Sequence, residues 1–142
     1  MSSGRVLGID YGNKNVGVAL ANLDTLIATP FCVLNNRGKS ELFFEIKKLI
    51  DYWEVSLIVF GLPINMKKDQ KANEIYDELM DFVSYMKGKC DIKIEFFDER
   101  LTTFEAKDLL SKQNFSYKAI KSNKDSVSAS IILEKWLNSR IE

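Results

Sequence analysis

The segment Val6-Leu7-Gly8-Ile9-Asp10-Tyr11-Gly12 is the most informative part of the sequence, because an apolar run ends there in an acid and a glycine. It predicts a strand over residues 5–11, and the apolar run that follows predicts a partner strand over 15–22. Between them, Gly12-Asn13-Lys14 consists of residues that tolerate positive φ, as tight hairpin turns require. The chain therefore opens with an antiparallel hairpin whose first strand ends in a carboxylate.

Apolar periodicity extends this pattern to the rest of the chain. Pro30 indicates that the third strand is irregular or lies at an edge of the sheet. Ser40 is a candidate N-cap, and a basic, Asn/Ser-rich loop is expected at about 113–124. The predicted strands are 5–11, 15–22, 27–34, 55–60 and 92–97, and the predicted helices are 40–53, 72–86, one from about 102 to 110, and 125–138.

The element order βββαβαβαα predicts the fold class α/β. A hairpin meander that feeds crossover helices gives a mixed five-stranded sheet, with an antiparallel part, a parallel part and helices on both faces. The near-continuous apolar strand at 55–60 suits a central position, covered on both sides. With 142 residues and no linker or repeat, residues 1–142 are expected to form a single domain.

Composition excludes several kinds of chemistry. The chain has no histidine, which removes Ser-His-Asp and Cys-His catalysis and His-based general bases. It contains 20 basic and 20 acidic residues, a balance that argues against a non-specific nucleic-acid coat. No apolar run approaches the roughly 18 residues of a membrane span, and no signal peptide is evident, so a cytoplasmic protein without membrane contact is expected.

Three acids stand where a two-metal site would need them. Asp10 and Glu99 each end an apolar run, and Asp125 is expected to open the last helix. The carboxyl ends of parallel strands meet at one edge of a sheet, where ligands bind. Carboxylates are the oxygen ligands that Mg²⁺ and Mn²⁺ prefer, and two such ions can clamp the attacking and leaving oxygens of a phosphodiester displacement.

Each acid also has a simpler interpretation. Asp10 could form an Asx turn, the Asp98-Glu99 pair could cap the helix near 102 or pair with Arg100, and Asp125 could close a capping box that begins at Ser122. Strand alternation puts Asp98 and Glu99 on opposite faces, and the pattern alone does not choose between them.

The chain resembles the YqgF/RuvX family of pre-16S rRNA nucleases, whose domain is similar to Holliday junction resolvases. The resemblance covers residues 5–138. It is carried by Leu7-Gly8-Ile9-Asp10-Tyr11-Gly12, Gly17-Val18-Ala19, Val59-Phe60-Gly61-Leu62-Pro63, Asp98-Glu99-Arg100-Leu101-Thr102-Thr103 and the helix of Asp125. Two departures stand out: Asn15 follows Lys14 where a basic residue is usual, and Ser128 replaces a small apolar residue.

The resemblance implies an RNase H-like fold and phosphodiester cleavage that depends on Mg²⁺ or Mn²⁺. It implies that Asp10, Glu99 and Asp125 bind the metal and are catalytic, with Glu99 chosen over Asp98. It also implies trimming of the 5′ end of pre-16S rRNA, with the small ribosomal subunit as a possible partner. Expected phosphate contacts are Lys14, Arg100, Lys118, Lys121 and Lys124.

Three other functions remain open at this point. A four-way DNA junction resolvase would need a dimer, and the sequence is compatible with a monomer or a weak homodimer. A nucleotide-binding ATPase would use the turn from Gly12 to Gly17 as a phosphate loop, but such proteins normally need two facing domains. A non-catalytic, nucleic-acid-binding ribosome-assembly factor would carry the same acids without cleavage.

Overall fold

The computed structural model describes residues 4–62, 70–98 and 117–141, with side chains over 4–62, 73–97 and 125–140. The strands are β1 (Arg5–Asp10), β2 (Asn15–Asn22), β3 (Ile27–Asn35), β4 (Val55–Leu62) and β5 (Lys93–Asp98), and the helices are α1 (Lys39–Trp53), α2 (Gln70–Lys87) and α3 (Tyr117–Ile141). The expected helix near 102–110 lies outside the described residues.

These strands form one mixed sheet in the order β3-β2-β1-β4-β5. The first three strands pair antiparallel, while β1, β4 and β5 run parallel, so the predicted fold class is confirmed. At the β3 edge, Pro30 pairs with Ala19 and Cys32 with Val18, which leaves Phe31 as a bulge. The expectation from Pro30 is thus met in both respects, since it lies on an edge strand and at an irregularity.

The two faces of the sheet carry two separate cores. On one face, Leu7 and Ile9 of β1 pack with the apolar stripes of α1 and α2. On the other face, Val6 of β1 packs with the inward residues of α3. Strand alternation makes this division, because successive side chains point to opposite faces. We call the face of the sheet that α3 covers the α3 face.

Helix α3 lies against the sheet at two strand positions that carry no side chain, Gly8 and Gly17. A Cβ added to Gly8 would lie 2.9 Å from the Cβ of Leu133 and 3.0 Å from the carbonyl oxygen of Ala129. The C-terminal half of α3 is held at the parallel edge of the sheet by a hydrogen bond of 2.9 Å from Trp136 Nε1 to Glu95 Oε1. None of the described helices is both long and apolar enough to cross a membrane.

Three local expectations were wrong. Residues 117–124 are helical rather than loop, so Asp125 lies eight residues inside α3 and does not open it. The reason is that this segment contains no Gly or Pro and includes Lys and Ala, which are good helix formers. Helix α1 begins at Lys39 after Gly38, which has a φ of 114° and no side-chain cap, so Ser40 is not the N-cap.

The β1–β2 turn also differs from its expectation. Among the described residues, positive φ occurs at Leu26, Gly38 and Glu54, and not in this turn. Gly12 is needed there for space instead, because a Cβ would overlap the carbonyl oxygen of Asn15.

Candidate active site

The candidate site lies on the α3 face at the edge where β1 ends. Asp10 is the last residue of β1 and is half-buried. Alternation from Val6, which packs under α3, puts Asp10 on the same face, while Leu7 and Ile9 serve the opposite core. The first predicted acid is therefore directed toward the helix that carries Asp125.

Gly17 is the position at which α3 crosses strand β2 beside Asp10. Gly17 is the cross-strand partner of Asp10, and the backbone of α3 crosses directly over it at Asp125. A Cβ at position 17 would overlap the carbonyl group of Asp125 and come within 3.0 Å of the Ser126 nitrogen. The backbone of α3 at Asp125 thus lies over the cross-strand partner of Asp10, although Asp125 does not occupy a helix N-terminus.

Glu99 and Arg100 lie outside the described residues, but the register of β5 bears on the choice between Asp98 and Glu99. Phe97 packs in the core under α3, and Glu95 bonds Trp136 of that helix. Ile94 packs in the opposite core. The described part of β5 thus places residues 95 and 97 on the α3 face, and the choice of Glu99 over Asp98 stays a prediction.

The donors near Asp10 suit a hard divalent cation. They are carboxylate oxygens, the ligands of Mg²⁺ and Mn²⁺, and the chain offers no imidazole that would favour zinc. Over residues 4–62, 70–98 and 117–141, no group of three or more acids or cysteines could hold a metal ion. Asp10 and Asp125 fit such an ion only if a third ligand comes from outside those ranges.

The turn after Asp10 is held by a residue that the sequence patterns did not single out. Asn36 donates its side-chain amide to the carbonyl of Gly12 at 2.8 Å, and its backbone amide donates to the carbonyl of Lys14 at 2.8 Å. These bonds fix the exposed turn that presents Lys14, one of the predicted phosphate contacts. Asparagine that follows a strand is a common turn residue, so the sequence offered no distinctive signal.

Tyr11 belongs to the core rather than to a base-stacking surface. Its ring lies 5.9 Å from that of Phe82, on the face opposite to Asp10. Burial raises the pKa of the Tyr11 hydroxyl above its ordinary value, and the carboxylates of Glu78 and Asp81 act in the same direction against a hydrogen bond with Asn36. Tyr11 therefore stays protonated at neutral pH.

The other predicted phosphate contacts fall near or beyond the limits of the described structure. Lys118, Lys121 and Lys124 are in the first part of α3, which corrects their expected position in a loop. Their side chains are outside the described residues, so their contacts with a ligand stay predictions.

Ser128 is a buried polar residue of α3. It is 1% exposed, and its hydroxyl has no hydrogen-bond partner among the described residues. An unsatisfied buried hydroxyl costs about 1–3 kcal/mol, and Ala is the better helix former. Ser128→Ala is therefore expected to raise the free energy of unfolding by about 1–2 kcal/mol, measured by urea denaturation, with a Tm rise of about 3–8 °C.

The matched control is Ser130, which is also buried, at 4% exposed, but donates to the carbonyl of Val127 at 2.8 Å. Ser130→Ala has the same gain in helix propensity and loses a hydrogen bond, so it should be neutral or destabilising. Equal stabilisation by both substitutions would show that helix propensity, and not the orphan hydroxyl, is responsible.

Comparison with known families agrees with this architecture. The model of the RuvX family, described as a Holliday junction resolvase, matches residues 4–139. The chain belongs to the RuvX family. The resemblance drawn from the sequence motifs is thereby confirmed.

Two relatives illustrate the RuvX match at the level of sequence. One from Anaeromyxobacter sp. (strain Fw109-5), named "Putative pre-16S rRNA nuclease", is 35% identical over 136 residues, 96% of this chain and 98% of the relative. Another with the same name, from Aeromonas salmonicida (strain A449), is 38% identical over 138 residues, 96% of each chain.

Solved structures place this RuvX chain among resolvase-like folds. Thermus thermophilus RuvC in complex with a Holliday junction superposes with a TM-score of 0.63 at 11% identity, over 97% of this chain and 96% of RuvC. Fowlpox virus resolvase with junction DNA gives 0.60 at 8% identity, over 97% and 99%. At these identities the likeness concerns the fold, and it confirms the expected RNase H-like architecture.

Proposed function

We propose that this protein is a single-domain, metal-dependent nuclease that processes the 5′ end of pre-16S rRNA in the cytoplasm. The observation that supports the proposal is the crossing of the α3 backbone, at Asp125, over Gly17, which is the register partner of Asp10. The names of the RuvX relatives, which are about a third identical over nearly their whole length, support the choice of substrate.

In this proposal Asp10, Glu99 and Asp125 are the metal ligands and the catalytic carboxylates. Asp10 is the last residue of β1, and Asp125 lies in a helix that packs on the sheet. Glu99 follows Asp98, the last residue of β5, in the sequence. When bound, Mg²⁺ or Mn²⁺ supplies positive charge that stabilises the transition state of phosphodiester displacement. The carboxylates hold that charge at a fixed place, which matters because misplacement by about 1 Å can cost about 10²-fold in rate.

The cationic side chains position the substrate. Lys14 is exposed on the turn that follows Asp10, and Asn36 holds that turn. We assign a backbone phosphate to Lys14, and further phosphates to Arg100, Lys118, Lys121 and Lys124. Phosphate contacts of this kind fix orientation without reading sequence.

The direct test is cleavage by the purified full-length chain in Mn²⁺, in Mg²⁺ and in EDTA. The substrates are a structured 5′-extended ribosomal RNA fragment, a four-way DNA junction and a matched linear DNA duplex. We expect metal-dependent cutting of the RNA, no cutting in EDTA, and little cutting of the linear duplex. Cleavage of no substrate in any metal would instead support a non-catalytic assembly factor.

The second candidate function is resolution of four-way DNA junctions. The description of the matching family favours it, since that description names a Holliday junction resolvase. Junction resolution cuts two strands and calls for two sites in a dimer, so it predicts a homodimer where the RNA-processing proposal needs only a monomer. Preferential cutting of the junction, together with a dimeric mass in solution, would select this function over the first.

A further inference from the structure

Helix α3 crosses strand β2 at one point where backbone meets backbone. At Gly17 the space for a side chain is filled by the carbonyl group of Asp125, with the Ser126 nitrogen 3.0 Å from an added Cβ. These neighbours are main-chain atoms inside a regular helix, so no side-chain rotation can make room. Any residue larger than glycine at position 17 must move the helix.

The same crossing sets the distance between two acids. Asp10 is the register partner of Gly17, and cross-strand partners have Cα atoms about 4.5–5.5 Å apart. A helix displaced from Gly17 therefore carries Asp125 away from Asp10 directly. The displacement needed to restore an ordinary contact is on the order of 1 Å, which is enough to disturb an active-site geometry.

We propose that Gly17 is a positioning residue, whose missing side chain sets the separation between the carboxylates of Asp125 and Asp10. The inference rests on the proposed function, because it concerns the metal site made by these two acids. It assigns to Gly17 a role beyond the close packing of strand and helix. A glycine within a strand is itself a signal of close backbone approach.

Gly8 provides a matched control on the same helix and the same face of the sheet. An added Cβ there meets Leu133 Cβ at 2.9 Å and Ala129 O at 3.0 Å, so it also strains the contact between sheet and helix. Its contacts at Ala129 and Leu133 lie about 6 and 12 Å along the helix from Asp125, at 1.5 Å per residue, and they are less close than the overlap with Asp125 at Gly17. Gly8→Ala should therefore lower stability without moving the carboxylate.

The experiment measures Mn²⁺ binding by electron paramagnetic resonance of the free ion, on the full-length wild type, Gly17→Ala and Gly8→Ala. Circular dichroism and thermal unfolding establish that each variant is folded at the temperature used. We expect Gly17→Ala to weaken Mn²⁺ binding at least about tenfold and to lower kcat about 10²-fold, with KM for the RNA within about threefold. Gly8→Ala should bind Mn²⁺ as the wild type does, within about threefold.

A rescue separates positioning from simple destabilisation. In the Gly17→Ala background, Asp125→Glu lengthens the side chain by one methylene and should restore part of the lost Mn²⁺ affinity. In the wild type the same substitution should weaken binding. If Gly17→Ala does not fold, the test uses Asp125→Glu in the wild-type background alone. Unchanged Mn²⁺ affinity in that variant would overturn the proposal.

Two further results would overturn it. One is wild-type Mn²⁺ affinity in folded Gly17→Ala, and the other is an equal loss of affinity in Gly8→Ala. Either result leaves the nuclease function intact if the wild type binds Mn²⁺ and cleaves RNA. Failure of the wild type to bind Mn²⁺ at all would instead refute the proposed metal-dependent function, and the positioning role with it.

Discussion

Replacing Asp10 with Asn is expected to lower metal-dependent cleavage by at least about 10³-fold, equivalent to about 4 kcal/mol of lost transition-state stabilisation. Asn keeps the shape of the side chain and removes the charge that holds the cation. Because Asp10 ends a strand with buried neighbours on both faces, loss of its charge should leave the fold in place. The measurement is single-turnover cleavage of the RNA fragment in Mn²⁺, beside circular dichroism and thermal unfolding.

The control for charge removal is Asp24→Asn. Asp24 is exposed in the β2–β3 turn, at the opposite end of the strands from Asp10. The Asp24→Asn variant should cleave the RNA fragment at the wild-type rate. Activity of Asp10→Asn within about tenfold of the wild type would refute a metal-binding role for Asp10, since loss of a ligand should cost several kcal/mol.

The second large effect concerns the acids that follow β5. We expect Glu99→Gln to lose cleavage about as severely as Asp10→Asn, whereas Asp98→Asn should retain activity within about tenfold of the wild type. The physical reason is the parity of β5, in which Glu95 and Phe97 lie on the α3 face. The same alternation, extended by two residues, predicts Glu99 on that face. Both substitutions remove one negative charge from adjacent positions, so each is the control for the other.

The reverse order of activities in the same assay would contradict this prediction. Loss of activity in Asp98→Asn with normal activity in Glu99→Gln would mean that the strand bulges or ends at this point, and that Asp98 is the ligand. Mn²⁺ binding measured on both variants would then follow the same order as their activities.

Much of the fold could be predicted from local patterns. The apolar stripe of α2 is buried as expected at Leu79, Phe82, Val83 and Met86. The hairpin, the edge position of Pro30 and the parallel group β1-β4-β5 also follow from patterns, because side-chain period and connection length are local properties. The start of α3 was missed, since a polar segment with no breaker is ambiguous between a loop and a helix.

The candidate site was predictable in its residue types and only partly in its geometry. Asp10 could be picked out because an acid ends an apolar strand, and the lack of histidine restricted the metal ligands to oxygen donors. Asp125 was expected at the N-terminus of the last helix, but that helix begins at Tyr117. Its contact with Gly17 arises from the crossing of two distant segments, and no local pattern contains that information.

The strands, the helices on both faces and the acids available for chemistry follow from local sequence patterns, because each depends on the order of neighbouring residues. Which segments lie next to Asp10 depends instead on tertiary contacts between distant parts of the chain. For Asp125 the contact is the crossing of the α3 backbone over Gly17, the register partner of Asp10. The physical reason is close packing: a helix lies where the missing side chains of the sheet allow it, and the carboxylate it carries lies there too.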